Sequence, residues 1–145
     1  MSYFGIGIYR PKFKQNIGTL WRSAYLLGAS FIFTIEGEFK EYPTDTQKTW
    51  KQIPCYQYNY LSEVIFPVDC KIIGVETRQV FPSAIDLPDF KHPKSCIYLL
   101  GNESNGLPLH LLDSFDDCVS IPAIKKQSYN VAMAGTIIMY DRMKK

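Results

Sequence analysis

Cysteine, histidine and long apolar runs are all scarce in this 145-residue chain, and each scarcity removes a class of function. The four cysteines, at 55, 70, 96 and 118, are widely separated, with no CxxC pair and no nearby histidine pair. Zinc-type ligand spacing is therefore missing, and no metal site is expected. Cys70, Cys96 and Cys118 fall in or beside apolar runs, where a free thiol behaves as a small hydrophobe. A reducing, cytoplasmic setting is the expectation. No apolar stretch approaches the roughly 20 residues of a membrane span, so no membrane association is expected. The opening Met1-Ser2-Tyr3-Phe4-Gly5 has no basic region leading into an apolar one, so no signal peptide is expected either. Common catalytic templates fail as well: there is no dinucleotide fingerprint, Walker loop, HExxH or GxSxG. His92 and His110 have no visible partners, and His110 reads as a surface residue of an amphipathic helix.

What is present is the composition of a folded protein. An apolar content of 46% with 14% aromatics argues against disorder. A chain of this length buries roughly two thirds of its unfolded surface, enough for one core. Residues 1–145 are accordingly read as one domain. The net charge is only +2, but Arg10, Lys12, Lys14 and Arg22 lie within the first 22 residues, which contain no acid. Lys125 and Lys126 form a second basic group, and Arg142, Lys144 and Lys145 a third. Such residues are ordinary solvated surface unless the segments meet in space, where they would contact phosphates.

Periodicity alternates along the chain. Strands are expected at 4–9, 31–35, 71–76, 96–100 and 118–121, with an extended stretch at 53–60. Helices are expected at 16–27, closed by Gly28, at 61–66, at 107–115 and at 131–143. Residues 36–52 are polar, with a loop around Pro43-Thr44-Asp45-Thr46. This alternation predicts an α/β fold with a largely parallel sheet. In such sheets ligands bind beyond the carboxyl ends of strands, where two polar loops leave late in the chain, at 101–106 and 122–130. The helix at 131–143 is apolar nearly all round, so more than one side should be buried, and one side is a candidate contact with a second subunit.

Three segments combine unusual residues. In the first, Asn16 either caps a helix or faces a ligand, Gly18 costs about 1 kcal/mol inside a helix, and Arg22 follows one turn later on the same face. A missing side chain at 18 leaves room for a substrate to approach that guanidinium. The second is the loop Leu100-Gly101-Asn102-Glu103-Ser104-Asn105-Gly106-Leu107-Pro108, directly after an apolar strand. The third runs from Ile121 to Val131, where Ser128 and Asn130 read equally as caps of the last helix.

In this order, Asn-x-Gly-x-x-x-Arg, strand-Gly-x-Glu-x-x-Gly-Leu and Ile-Pro…Ser-x-Asn-Val resemble the three motifs of the SpoU/TrmH family. These are RNA ribose methyltransferases of the SPOUT superfamily, and the resemblance runs from about Ile6 to Arg142. It implies a SPOUT methyltransferase domain over 1–145, with a parallel sheet and a C-terminal trefoil knot, binding S-adenosyl-L-methionine and working as a homodimer on RNA. The compact length resembles the tRNA-modifying branch, in which a wobble nucleotide is the first guess. Alternatives are an rRNA ribose methyltransferase, a base-nitrogen methyltransferase of the same superfamily, and an RNA-binding module without turnover. Residue by residue, the resemblance implies that Arg22, Asn16 and Glu103 serve catalysis, with Asn16 and Arg22 facing the RNA. It implies cofactor contacts from Leu100, Gly101, Asn102, Glu103, Gly106, Ile121, Ser128 and Asn130. Asn102 stands where many relatives carry proline, and Tyr129 where leucine or methionine is usual. A guanidinium holds its proton tightly, so a phosphate clamp suits Arg22 as well as a general base does. Tyr129 offers a surface on which a flipped base could stack.

Overall fold

Alternate residues of Tyr3–Tyr9 (β1) serve two different faces, and this period of two organises the sheet around it. Phe4, Ile6 and Ile8 enter the core beneath the long helices, while Gly5 and Gly7 point to the opposite face. A Cβ on Gly7 would sit 2.5 Å from the Phe33 ring, and one on Gly5 2.4 Å from the Phe31 ring. The glycines therefore let two aromatic rings of the neighbouring strand lie across β1.

The computed structural model describes residues 2–37 and 51–145. The expected loop around Pro43 lies outside the described residues. After β1 come helix α1 (Lys14–Leu26), strands β2 (Phe31–Ile35), β3 (Cys55–Tyr58), β4 (Lys71–Val75), β5 (Ile85–Asp86) and β6 (Ser95–Leu100), helix α2 (Leu109–Ser114), strand β7 (Asp117–Ser120) and helix α3 (Val131–Lys144). Among the described residues every pairing between these strands is parallel, in the order β3-β2-β1-β6-β4-β7-β5. The α/β parallel-sheet expectation is met. The helix expected at 61–66 is only a single 3-10 turn, Leu61–Glu63, because Pro67 and the extended backbone at Val64 stop it.

α1 buries Ile17, Leu20, Trp21 and Ala24 on the sheet, and Gly28 ends it with a left-handed φ of 88°. α3 packs beside α1 on the same face. Gly135 makes that contact close, since a Cβ there would fall 2.5 Å from Leu20 Cδ1 and 3.1 Å from Leu100 Cδ1. α3 buries Val131, Ala132, Gly135, Ile138 and Met139 but leaves Met133, Tyr140 and Met143 exposed. Its all-apolar character thus divides between a core face and an open stripe. Among the described residues no helix is long and apolar enough to cross a membrane.

The carboxyl end of α3 is tied to the amino ends of the strands. Arg142 donates to the carbonyl groups of Pro93 (2.7 Å) and Lys94 (2.9 Å) and to the Tyr98 hydroxyl (3.1 Å). Lys145 Nζ donates to the carbonyls of Leu87 (2.7 Å) and Phe90 (3.1 Å). Two members of the third basic group are therefore structural anchors rather than phosphate contacts. His92, without partners in the sequence reading, is in fact enclosed. Its Nδ1 meets the Tyr98 hydroxyl at 2.6 Å and its Nε2 meets Asp141 Oδ2 at 2.9 Å. Burial lowers the His92 pKa, and nearby Arg142 and Lys145 push the same way against Asp141. With its side chain only 5% exposed, the ring is neutral at neutral pH. Burial raises the Asp141 pKa, but Lys145 and His92 outweigh it and leave the carboxyl below its ordinary value.

A base whose folded pKa is depressed stabilises the fold above its unfolded value of about 6.5 and loses that contribution as pH falls below it. The melting temperature is therefore expected to drop between about pH 7 and pH 5. His92→Asn should lower stability at neutral pH and flatten that slope, as read by thermal unfolding at a series of pH values.

Candidate active site

All strands point the same way, so the segments leaving their carboxyl ends share one edge of the sheet. There they enclose a cavity of about 590 Å³. Its walls come from the starts of α1 and α3, the residue after β4 (Glu76), the end of β6 (Leu100), the loop at 101–106 and the segment 126–130. The volume lies within the roughly 300–1,000 Å³ typical of small-molecule sites.

The loop after β6 is closed by its own side chains. Asn102 Oδ1 accepts from the backbone N–H groups of Ser104 (2.9 Å) and Asn105 (2.7 Å), building a turn. This is how the chain manages with asparagine where the resemblance leads one to expect proline. Gly101 is packed against the far arm of the loop, since a Cβ there would lie 2.3 Å from the carbonyl carbon of Gly106. Gly106 has a φ of 63°, and a Cβ on it would strike Glu76 Oε2 at 2.4 Å. Glu76 supports the loop from below. Its Oε2 accepts from the Leu107 N–H at 3.0 Å and its Oε1 from the Thr77 N–H at 2.8 Å. Sequence reasoning missed Glu76; its position at the end of a strand was the only available signal. Beside it, burial first and the Glu76 charge second push the Cys118 thiol up to about 12, which keeps it protonated near neutral pH.

One chain of side-chain hydrogen bonds joins the three motif segments. Asn130 caps α3, its Oδ1 accepting from the N–H groups of Ala132 (2.9 Å) and Met133 (3.1 Å). Its Nδ2 donates to Asn16 Oδ1 at 3.0 Å, and Asn16 Nδ2 donates to Glu103 Oε1 at 2.6 Å. Glu103 Oε2 accepts from the Lys12 N–H at 3.1 Å. The direction is fixed by chemistry, because helix N–H groups only donate and a carboxylate only accepts. Asn16 is therefore not the cap of its own helix, whose N-cap is Phe13. It is 9% exposed, and both ends of its amide are engaged within the protein.

Of the residues singled out from the sequence, Asn16, Leu100, Gly101, Asn102, Glu103, Gly106, Ile121, Ser128 and Asn130 all line the cavity. Ser128 is exposed at the rim, and Tyr129 is pinned there by its hydroxyl donating to the Pro122 carbonyl at 3.0 Å. Arg22 does not line the cavity; it is exposed on α1. Six residues separate it from Asn16, which at 3.6 residues per turn places it roughly 240° around the helix and about 9 Å further along. Gly18 is buried instead of opening a path to Arg22. Among the described residues no group of histidine, cysteine and acidic side chains is placed to hold a metal.

The rim carries basic and aromatic residues. Lys126 lines it, and Lys12 Nζ donates to Ser104 Oγ at 2.8 Å. Phe13 occupies the N-cap of α1 with extended backbone and no side-chain cap bond. Serine, threonine, aspartate or asparagine there would be worth about 1 kcal/mol.

Asn130→Ala is expected to lower stability by about 1–3 kcal/mol, from the lost cap and the unpaired Asn16 carbonyl. Asn130→Asp should recover only the cap share, because a second acceptor then faces Asn16 Oδ1. Urea unfolding of both variants checks this.

Comparison with known proteins agrees with this arrangement. A model of the SpoU rRNA Methylase family matches residues 4–140. The tRNA (guanosine(18)-2'-O)-methyltransferase TARBP1 of Mus musculus is 28% identical over 137 residues, covering 87% of this chain and 8% of that protein. The SpoU methyltransferase AviRb from Streptomyces viridochromogenes, in complex with AdoMet, superposes with a TM-score of 0.86 at 25% identity, covering 99% of this chain and 60% of AviRb. A structure solved for insight into the 2-OH methylation of C/U34 on tRNA superposes at 0.83 with 22% identity, covering 97% of this chain and 93% of that one. This chain thus spans a small part of the mouse protein and about three fifths of AviRb. The family match takes in the Asn16, Glu103 and Asn130 segments that meet at the cavity, and the chain belongs to the SpoU rRNA Methylase family.

Proposed function

We propose that the chain is an S-adenosyl-L-methionine-dependent RNA methyltransferase acting on a ribose 2′-hydroxyl, with tRNA as the substrate and a wobble nucleotide as its target. The observation that carries this reading is the hydrogen-bond chain Asn130–Asn16–Glu103, which draws three separated motif segments around one cavity of small-molecule size. The names of the relatives support the reaction class and both ligands. The cavity suits the cofactor in size and in its backbone-rich lining from the loop at 101–106 and residues 126–130. Leu100, Gly101, Asn102, Gly106, Ile121 and Ser128 would hold it, and when bound it supplies an electrophilic methyl carbon on sulfur. The chain's own residues then have positioning to do. Glu103 spans the start of α1 and the cofactor loop, and Glu76 fixes the loop's far arm. Aligning acceptor oxygen and methyl carbon is worth roughly 7–11 kcal/mol of the barrier.

Arg22 remains the proposed essential side chain, as a clamp on substrate phosphate or as the group that receives help from it in removing the hydroxyl proton. Its distance around α1 from Asn16 suggests service to the cavity of a second copy. The open apolar stripe of Met133, Tyr140 and Met143 on α3 supports the homodimer that this requires. We further read residues 1–145 as one domain with a cytoplasmic location and a C-terminal trefoil knot. The knot is read from the family match, and the strand order β1-β6-β4-β7 is compatible with it.

Labelled cofactor and unfractionated tRNA, followed by nucleoside analysis, test the reaction. A 2′-O-methylated nucleoside is expected; a methylated base would move the chain to another reaction, and no cofactor binding would overturn the proposal. Arg22→Ala should reduce transfer about a hundredfold or more with cofactor affinity nearly intact. Mixing that variant with Gly101→Val, whose side chain would collide with the Gly106 backbone and distort the cofactor loop, should restore transfer if Arg22 acts across a dimer. Failure of the mixture to recover any activity would return Arg22 to its own subunit.

A further inference from the structure

Phe13 is placed against several rules of stability at once. It is a large aromatic, 54% exposed, at a helix position that favours small polar residues. The first turn of α1 contains no acid, and the flanking lysines at 12 and 14 oppose the positive end of the helix dipole. Local rules broken without a compensating gain in packing mark a functional position. Phe13 also lines the cavity, as do Asn16, Lys126 and Tyr129.

Lys12 has a matching peculiarity. Its backbone N–H is committed to Glu103, and among the described residues its ammonium group bonds the neutral hydroxyl of Ser104. Among the described residues it forms no ion pair. An exposed ring lining a cavity, preceded in the chain by a lysine whose ammonium reaches the cavity-lining Ser104, fits a nucleotide better than it fits a purely apolar or purely anionic ligand. Bases stack on aromatic rings, and lysines pair with the phosphates between them.

Resting on the RNA reading above, we propose that Phe13 is the surface on which the acceptor nucleotide's base stacks, with Lys12 contacting an adjacent phosphate. A phenyl ring carries no hydrogen-bonding atom, so it reads no base edge and accepts any unpaired base. The substrate class that follows is a nucleotide already unstacked or in a loop, with its identity read elsewhere.

The test uses full-length protein, labelled S-adenosyl-L-methionine and unfractionated tRNA. Phe13→Ser introduces a better helix cap, so its melting temperature should equal or exceed wild type. Its KM for tRNA should nevertheless rise roughly 5- to 150-fold, the range for loss of one base stack. Cofactor affinity and kcat should stay within about twofold, and Phe13→Trp should restore KM. Lys12→Met should weaken the salt dependence of RNA binding by about one phosphate contact. An unaltered KM in Phe13→Ser overturns the proposal while leaving the methyltransferase reading intact. So does a drop in native mass for that variant, which would make Phe13 a subunit contact. A wild-type protein that transfers no methyl group removes both.

Discussion

An amide side chain has a donating end and an accepting end, and Asn16 uses each on a different segment of the chain. Because the N–H groups opening α3 must donate to Asn130, Asn130 must donate to Asn16, and Asn16 must donate to Glu103. No member can be turned over without setting two donors or two acceptors against each other. The position of the loop at 101–106 is thereby referred to the starts of both long helices. The cavity walls inherit their geometry from this short polar path through an otherwise apolar fold.

α3 has work at both ends. Its first residues belong to the cavity, its last turn grips the amino ends of β1 and β6 through Arg142, and Lys145 just beyond it holds the carbonyls of Leu87 and Phe90. Between them Gly135 lets the helix settle onto Leu20, Ile6 and Leu100. Packing that close is rigid, since interiors as dense as crystals do not yield by small deformations. The cap at Asn130 is consequently held as firmly as the core itself, although its own surroundings are polar and open.

Much of this was legible in the sequence. Strands and helices with strong periodicity, such as Phe31–Ile35 and α3, emerged within a residue or two because hydrophobic spacing encodes them directly. The loop glycines and the motif asparagines were recognisable by type and order. Their mutual contacts were not: nothing in spacing tells that Asn16 bonds across 87 residues to Glu103 instead of capping its own helix. His92 and Arg142 look like surface residues until the sheet brings Tyr98 and Asp141 beside them. Arg22 shows the opposite case, a motif position that is exposed on α1 and does not line the cavity of its own chain. Phe13 carries no signal in the sequence, since an aromatic beside a helix start looks like core until its exposure is known.

The residue that caps α3 is also a member of the site, and this has a consequence for the order in which a newly made chain acquires it. Synthesis delivers the sheet from the amino end at about 5–20 residues per second. β1, α1 and β6 can assemble while residue 130 is still to come, yet Glu103 and Asn16 then lack the partner that sets their direction. The Asn130–Asn16–Glu103 path is complete only once the first turn of the final helix is in place. Any molecule that prefers the finished cavity will hold that helix in place by mass action.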